Sequence, residues 1–181
     1  FMRVWKDPDP YTLYVVGVDA SYGRDRDNSA FHIIDLYNGE QVAEFCSNKT
    51  SLSDFAKIIN IEATNYNTAH VVVERNGLGL ALIQDLFDKE EYENLWMDEN
   101  SELGIQITQK TREIVLASLE DALRSSKLNV NSERCINELL TFIITETGKI
   151  EADEGYNDDL VMSLALASYT MGDISRNSPV A

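Results

Sequence analysis

The sequence predicts an α/β fold in which helices flank a mixed central β-sheet made of an antiparallel hairpin meander plus parallel strands. The apolar run from Tyr14 to Val18 is typical of a buried strand. Segments 30–37 and 41–46 flank Asn38-Gly39, a strong hairpin signal between apolar strands. A helical pattern then leads to a second apolar strand, 69–74, and such crossovers join parallel strands.

The elements can be assigned in order along the chain. We predict a first strand at 11–19, a polar turn at 21–29 and then the two hairpin strands. Ser51, with Asp54 three residues later, resembles the capping box that starts a helix. Apolar residues recur after it at helical spacing: Leu52, Phe55, Ile59, Ala63 and Tyr66. A turn and a second helix fall in 76–87, and a third helix at 111–128 carries one apolar stripe: Leu116, Leu119 and Leu123.

The C-terminal part is predicted to contain a helix, a hairpin and a buried helix. Segment 132–143 has a helical pattern, and 142–153 resembles a small hairpin that turns at Thr147-Gly148. Segment 160–171 is nearly all apolar, which predicts a helix buried on most sides. Residues 172–181 are predicted to be a frayed tail. Without a repeat or a composition shift, we predict one domain over residues 1–181.

Composition favours a soluble globular protein, with 181 residues, 44% apolar and 25% charged. No apolar run approaches the roughly 20 residues that cross a bilayer. Cys46 and Cys135 are predicted to be reduced core thiols, and His32 and His70 to be strand residues, so no zinc spacing is present. The net charge of −16 argues against strong nucleic-acid binding and favours a solvated acidic surface.

Acidic residues stand at three element ends. Asp19 and Glu74 each close an apolar strand, and Asp158-Asp159 opens the buried last helix. If the two strands are parallel neighbours, both carboxylates emerge at the sheet edge where sites form in open α/β sheets. Each acid also has a simple structural explanation, since Asp is common at helix N-caps and turns. Glu74 is the hardest to explain in this way, because Glu is disfavoured in strands. Together, however, the three positions indicate a shared site.

Clustered carboxylates indicate a hard divalent cation. Several carboxylates a few ångströms apart cannot all stay ionised unless a cation neutralises them. Oxygen ligands suit Mg²⁺ or Mn²⁺. Two such ions, about 3.5–4 Å apart, can hold the attacking and leaving oxygens of a phosphoryl displacement. The sequence therefore predicts a Mg²⁺ or Mn²⁺ site, which we expect to hold two ions.

The order of hairpin, helix and strand, with acids at these ends, resembles the RNase H-like nucleases. More narrowly, it resembles the C-terminal nuclease domain of the tailed-phage terminase large subunit. The matching stretches are YVVGVDASYGRDRDNSAFHIID, HVVVERNGLGLALIQDL, ITQKTREIVLASLEDAL and GYNDDLVMSLALA. The resemblance implies a Mg²⁺- or Mn²⁺-dependent endonuclease that cuts double-stranded DNA during viral genome packaging.

The resemblance also assigns roles to single residues. It implies that Asp19, Glu74 and Asp159 are the catalytic metal ligands. Successive helical residues point about 100° apart, so one helix turn cannot easily aim both Asp158 and Asp159 at one ion. Asp158 fits the N-cap, so we expect Asp159 to be the direct ligand and Asp158 to be the second member of the pair. Asp27 matches an acid of the family's first loop and is expected beside the ligands.

Four further residues are predicted to contact DNA. Arg75 and Gly77 lie in RNGLG, where a glycine turn before a helix either approaches phosphate or only turns the chain. Lys110 and Arg112 match a basic pair of the family, although a solvated helix start explains them equally well.

The resemblance implies partners that this chain does not contain. It implies an N-terminal packaging ATPase domain in the same protein, a portal, a small terminase subunit and a site of action in the host cytoplasm. No G-x-x-x-x-G-K-[ST] stretch is present, and Met2 after Phe1 suggests a fragment. Two alternatives stay open: a RuvC-type Holliday-junction resolvase or another RNase H-like nuclease, and a non-catalytic acidic docking module.

Overall fold

A five-stranded sheet forms the centre of the computed structural model, which describes residues 1–21, 28–145, 150–153 and 155–177. Its strands lie in the order β1-β4-β3-β2-β5, and β6 pairs with β7 in a separate hairpin. The strands are β1 (Arg3–Val4), β2 (Tyr14–Asp19), β3 (Ser29–Asp35), β4 (Glu40–Ser47), β5 (His70–Val73), β6 (Phe142–Ile144) and β7 (Ile150–Ala152). The α-helices are α1 (Leu52–Asn65), α2 (Leu78–Gln84), α3 (Gln109–Arg124), α4 (Glu133–Leu139) and α5 (Asp159–Asn177), and a π-helical segment, Asp85–Lys89, continues α2.

The sheet is mixed in the predicted way. Strands β2, β3 and β4 form an antiparallel meander. Strand β5 runs parallel to β2, with Val18 opposite Val73, because α1 carries the chain back across the sheet. The carboxyl ends of β2 and β5 therefore lie side by side at one edge, which brings Asp19 and Glu74 to the same place.

Both faces of the sheet are covered, which explains the uninterrupted apolar run in β2. Val16 and Val18 pack with α1 and α2 in one core, and Val15 packs with α3 and α5 in the other. Alternate side chains of a strand point to opposite faces, so a strand buried on both faces needs apolar residues throughout. None of the helices in the described ranges is long and apolar enough to cross a membrane.

Helix α5 lies directly on β2 at Gly17. A Cβ atom at Gly17 would lie 2.1 Å from the carbonyl oxygen of Ser163 and 2.6 Å from the amide nitrogen of Ala167. Both atoms belong to the helix backbone, which cannot rotate away as a side chain can. Glycine at this position therefore sets the depth at which α5 packs, and with it the height of Asp159 above the sheet edge.

Several predicted boundaries were wrong. The first strand begins at Tyr14 instead of residue 11, and the short edge strand β1 was not predicted. The third helix spans Gln109–Arg124, two residues earlier at its start than predicted. The prediction of a frayed tail is also wrong as far as Asn177, because α5 continues to that residue and buries Ile174. The predicted turn at Thr147-Gly148 lies outside the described residues.

Candidate metal centre

Asp19 and Glu74 lie at neighbouring strand ends. The amide of Glu74 donates to the carbonyl of Val18 at 3.0 Å, which continues the β2–β5 ladder one residue past β5. On its other side Glu74 bridges to Ile105. A Cβ at Gly79 would lie 1.6 Å from the Glu74 carbonyl oxygen, so α2 starts against this backbone only because residue 79 is glycine.

The first turn of α5 brings two more acids to the same edge. The carbonyl of Asp158 accepts the amide of Met162 at 2.7 Å, so Asp158 occupies the N-cap position and Asp159 the first helical one. The Asp158 carboxylate accepts a hydrogen bond from Arg112 at 2.5 Å. Asp159 is only 7% exposed. Its carboxylate accepts from Asn28 twice, at 2.9 Å from the backbone amide and at 3.2 Å from the side chain.

Sequence reasoning missed Asn28. It directly precedes β3, in which Ala30 pairs with Asp19. The two hydrogen bonds from Asn28 thus connect Asp159 to the strand beside Asp19. A polar residue in a turn rich in Asp, Arg and Ser carries no signal that could have distinguished it from its neighbours.

The pKa values show that these acids share one electrostatic environment. Burial raises the pKa of Asp19 well above its ordinary value, and the charges of Glu74, Asp159 and Asp158 raise it further, while Arg112 opposes them. Burial also raises the pKa of Glu74, with Arg112 opposing and Asp158 adding to the shift. A cation bound among them would relieve this repulsion.

The acids interact electrostatically, but their carboxylates are not arranged as the ligands of one metal ion. In the described ranges, no three His, Cys, Asp or Glu side chains are grouped so that they could hold a metal ion as they stand. Charges shift one another's pKa values over distances longer than a metal–oxygen bond. The shifted pKa values and the lack of a ready ligand group among the described residues are therefore compatible. The carboxylates of Asp158 and Asp159 are turned toward Arg112 and Asn28. Metal binding at this edge would therefore require these side chains to rotate.

Glu138 is a further, half-buried acid that the sequence did not reveal. Its Oε1 atom accepts the amide of Leu160 at 3.1 Å, so α4 caps the N-terminus of α5. Burial raises its pKa to about 8, the Asp159 charge adds to the rise, and hydrogen bonds from the backbone of Leu160 and Val161 oppose it. Within an amphipathic helical pattern, a glutamate is normally predicted to face solvent.

The raised pKa of Glu138 predicts a pH effect on stability. Between 4.5, the ordinary pKa of glutamate, and about 8, the folded metal-free chain keeps a proton that the unfolded chain releases. Stability should therefore fall as the pH rises through this window. Glu138→Gln should make stability less dependent on pH in this window, which urea midpoints at several pH values would measure. Identical pH profiles for parent and variant would contradict the assignment.

The residues predicted to contact DNA occupy different environments. Arg112 lies among the acids, and Lys110 is exposed in the first turn of α3. Arg75 pairs with Asp98 at 3.4 Å and Glu102 at 2.7 Å, and it lines a cleft of about 400 Å³ that includes none of the clustered acids. Gly77 has φ +52° and open space around it. All four contacts stay predictions, and Asp27 lies outside the described residues.

An antiparallel meander, a parallel strand with an acid after its end, and helices on both faces define an RNase H-like α/β domain. Residues 16–169 match the family described as the terminase RNaseH-like domain. The chain belongs to this family.

Curated relatives are large terminase subunits of phages. The terminase large subunit of Thermus virus P23-45 is 27% identical over 170 residues, which are 91% of this chain and 33% of that protein. The corresponding protein of Thermus phage G20c is 26% identical over 170 residues. This chain therefore spans about a third of the length of the curated relatives it matches.

Solved structures show the same fold. The large terminase nuclease from thermophilic phage G20c with bound cobalt has a TM-score of 0.78 at 24% identity, covering 92% of this chain and 86% of that one. The g2p nuclease domain from bacteriophage SPP1 with bound Mn has a TM-score of 0.56 at 16% identity, covering 93% and 88%. These similarities confirm the predicted RNase H-like fold.

Proposed function

We propose that this chain is a Mg²⁺- or Mn²⁺-dependent endonuclease domain that hydrolyses double-stranded DNA during viral genome packaging. The observation that carries the proposal is the convergence of Asp19, Glu74 and Asp159 from two parallel strands and the start of α5. Family membership and the metal-bound nuclease structures with the same fold support it.

The donor set fits a hard divalent cation. It consists of carboxylate oxygens, and the pKa of Asp19 is raised by the charges of its neighbours, so bound positive charge would stabilise the ionised cluster. Asp19, Glu74 and Asp159 would hold the metal, with Asp158 as a further ligand and two ions as the expected number. Bound metal would supply Lewis acidity and neutralise charge on the phosphate under attack.

The protein's own residues provide position and charge. Asn28 holds the Asp159 carboxylate through two hydrogen bonds in the metal-free chain, and it would release the carboxylate when Asp159 turns toward a metal. Arg112 neutralises Asp158 and would meet the phosphate backbone once Asp158 turns toward a metal. The proposed partners are double-stranded DNA, an N-terminal packaging ATPase domain of the same protein, the portal and the small terminase subunit.

Saturating Mn²⁺ should raise the melting temperature of the chain. A ligand that binds only the folded state adds about 2.7 kcal/mol at about one hundred times its Kd, which corresponds to several degrees for a domain of this size. Asp19→Asn should shrink the rise because it removes one anionic ligand. Thermal melts with Mn²⁺ and with excess chelator measure the effect. A melting temperature that does not depend on metal would contradict the proposal.

The isolated chain should bind duplex DNA weakly and without sequence preference. The 31 Asp and Glu residues outnumber the 15 Lys and Arg residues, so few of these cations can line up on phosphates. The salt dependence of binding should therefore be shallow. Lys110→Ala should raise the DNA concentration needed for nicking, whereas Lys127→Ala, just beyond the far end of α3, should not. Tight, sequence-specific or junction-specific binding would instead favour a self-sufficient nuclease such as a resolvase.

A further inference from the structure

Leu160, the residue after Asp159, is held at both of its backbone polar groups by side chains from outside α5. Its amide donates to Glu138 Oε1 of α4 at 3.1 Å. Its carbonyl oxygen lies 3.0 Å from His32 Nε2 of β3. Glu138 is half-buried, and His32 is fully buried. Since Leu160 and Asp159 share a peptide unit, fixing one backbone fixes the other.

Gln41 determines which nitrogen of His32 carries the hydrogen. Its Oε1 atom accepts the backbone amides of Asn131 at 2.8 Å and Ser132 at 2.9 Å. Because the oxygen end of the amide is committed to these two donors, the NH₂ end faces His32 Nδ1 at 2.6 Å. Nδ1 is therefore an acceptor, and Nε2 carries the hydrogen that it donates to Leu160.

Other groups near His32 are consistent with a neutral ring. The Glu44 carboxylate lies 3.7 Å from Nδ1, beyond hydrogen-bond distance, and its other oxygen accepts from Arg134. Burial lowers the pKa of His32 to about 4, so the ring keeps one hydrogen at neutral pH.

Glu138 satisfies a backbone donor that α5 itself cannot satisfy. Leu160 lies in the first turn, where amides have no carbonyl partner within the helix. The glutamate reaches across from α4 to fill this role. An aspartate would be one methylene shorter and would not reach, whereas a glutamine keeps both the length and an accepting oxygen.

We propose that Gln41, His32 and Glu138 are positioning residues that fix the backbone of Asp159 for metal binding. We call these three residues the Leu160 clamp. The inference rests on the proposed function, in which Asp159 is a ligand. None of the three would touch the metal or the DNA; they act through Leu160. Groups that orient ligands in this way tune metal affinity, and losing one weakens it about 10- to 100-fold.

Calorimetric titration of the chain with Mn²⁺ tests the clamp without relying on catalysis. Glu138→Asp should weaken Mn²⁺ binding about tenfold, and Glu138→Gln should restore it close to the parent value. His32→Phe, which keeps an aromatic ring but donates no hydrogen bond, should weaken binding to a similar extent. Metal-free melting temperatures of every variant report the effect on folding alone.

A matched control separates positioning from general destabilisation. Ile59→Val opens a small gap in the core on the opposite face of the sheet, so it should lower the melting temperature and leave Mn²⁺ affinity unchanged. If Ile59→Val weakens binding as much as Glu138→Asp does, the clamp acts only through stability and the inference is overturned. If His32→Phe fails to fold, the comparison of Glu138→Asp with Glu138→Gln tests the clamp instead.

The remaining outcomes distinguish the clamp from the proposed function. Parent-like binding by Glu138→Asp overturns the clamp, and so does equal loss in Glu138→Gln and Glu138→Asp, which would make Glu138 a charged ligand. Asp159→Asn is titrated in parallel. If it binds Mn²⁺ as the parent does, the ligand assignment fails; if it loses binding while Glu138→Asp does not, only the clamp fails.

Discussion

Replacing Glu74 by alanine should reduce Mg²⁺- or Mn²⁺-dependent cutting of plasmid DNA by about a hundredfold or more, with the fold intact. The side chain follows β5 at the sheet edge and is half-buried beside Asp19. Its charge would hold the cation that offsets charge developing on the phosphate in the transition state. Losing one such preorganised interaction lowers the rate by a factor of this order. Asp19→Ala and Asp159→Ala should have effects of the same size. A nicking assay at saturating metal measures all three.

An exposed acid provides the control for these variants. Asp121 lies on the outer surface of α3 with its side chain 74% exposed, beside Lys127. Asp121→Ala changes the net charge by the same amount as the other variants and should cut like the parent. If Glu74→Ala also cut as fast as the parent, the ligand assignment would be wrong.

Gly17→Ala should destabilise the chain by about 3 kcal/mol, the upper part of the range for overpacked cores. The added methyl group would lie 2.1 Å from the Ser163 carbonyl oxygen and 2.6 Å from the Ala167 amide, so α5 has to move away from β2. Because α5 carries Asp159, the same change should also weaken Mn²⁺ binding. Urea unfolding and Mn²⁺ titration of the variant measure the two effects.

A glycine-to-alanine substitution within α5 has the opposite expectation. Gly172 is exposed in the helix, where alanine has the higher helix propensity, so Gly172→Ala should stabilise the chain by at most about 1 kcal/mol. Equal stability of the Gly17→Ala variant and the parent would show that α5 does not pack on β2 as closely as the structure has it.

The sheet and the location of the candidate site could be predicted because local patterns determine them. The apolar run of β2, the hairpin and the helical crossover have distinct periodicities, and together they require Asp19 and Glu74 to meet at one edge. The end of α5 could not be predicted in this way. Gly172 and Asp173 resemble a helix end, but the helix continues because burying Ile174 against the core outweighs these weak local signals.

The residues that support the site could not be predicted because their roles exist only in three dimensions. Asn28 is 131 positions from Asp159, and His32 is 128 positions from Leu160. The sequence around Glu138 has the pattern of an ordinary amphipathic helix, and nothing in it indicates that this face meets the start of α5. Side chains that act by hydrogen bonding a residue far away in the sequence leave no periodic signal.

Diffraction from a crystal of the chain soaked in Mn²⁺ tests the metal-centre assignment most directly. Anomalous scattering locates manganese without reference to the assigned ligands. The assignment predicts a peak at about 2.0–2.6 Å from carboxylate oxygens of Asp19, Glu74 and Asp159. It also predicts that the carboxylate of Asp159 has turned from Asn28 toward the ion. A manganese peak elsewhere on the chain, with none at this edge of the sheet, would contradict it.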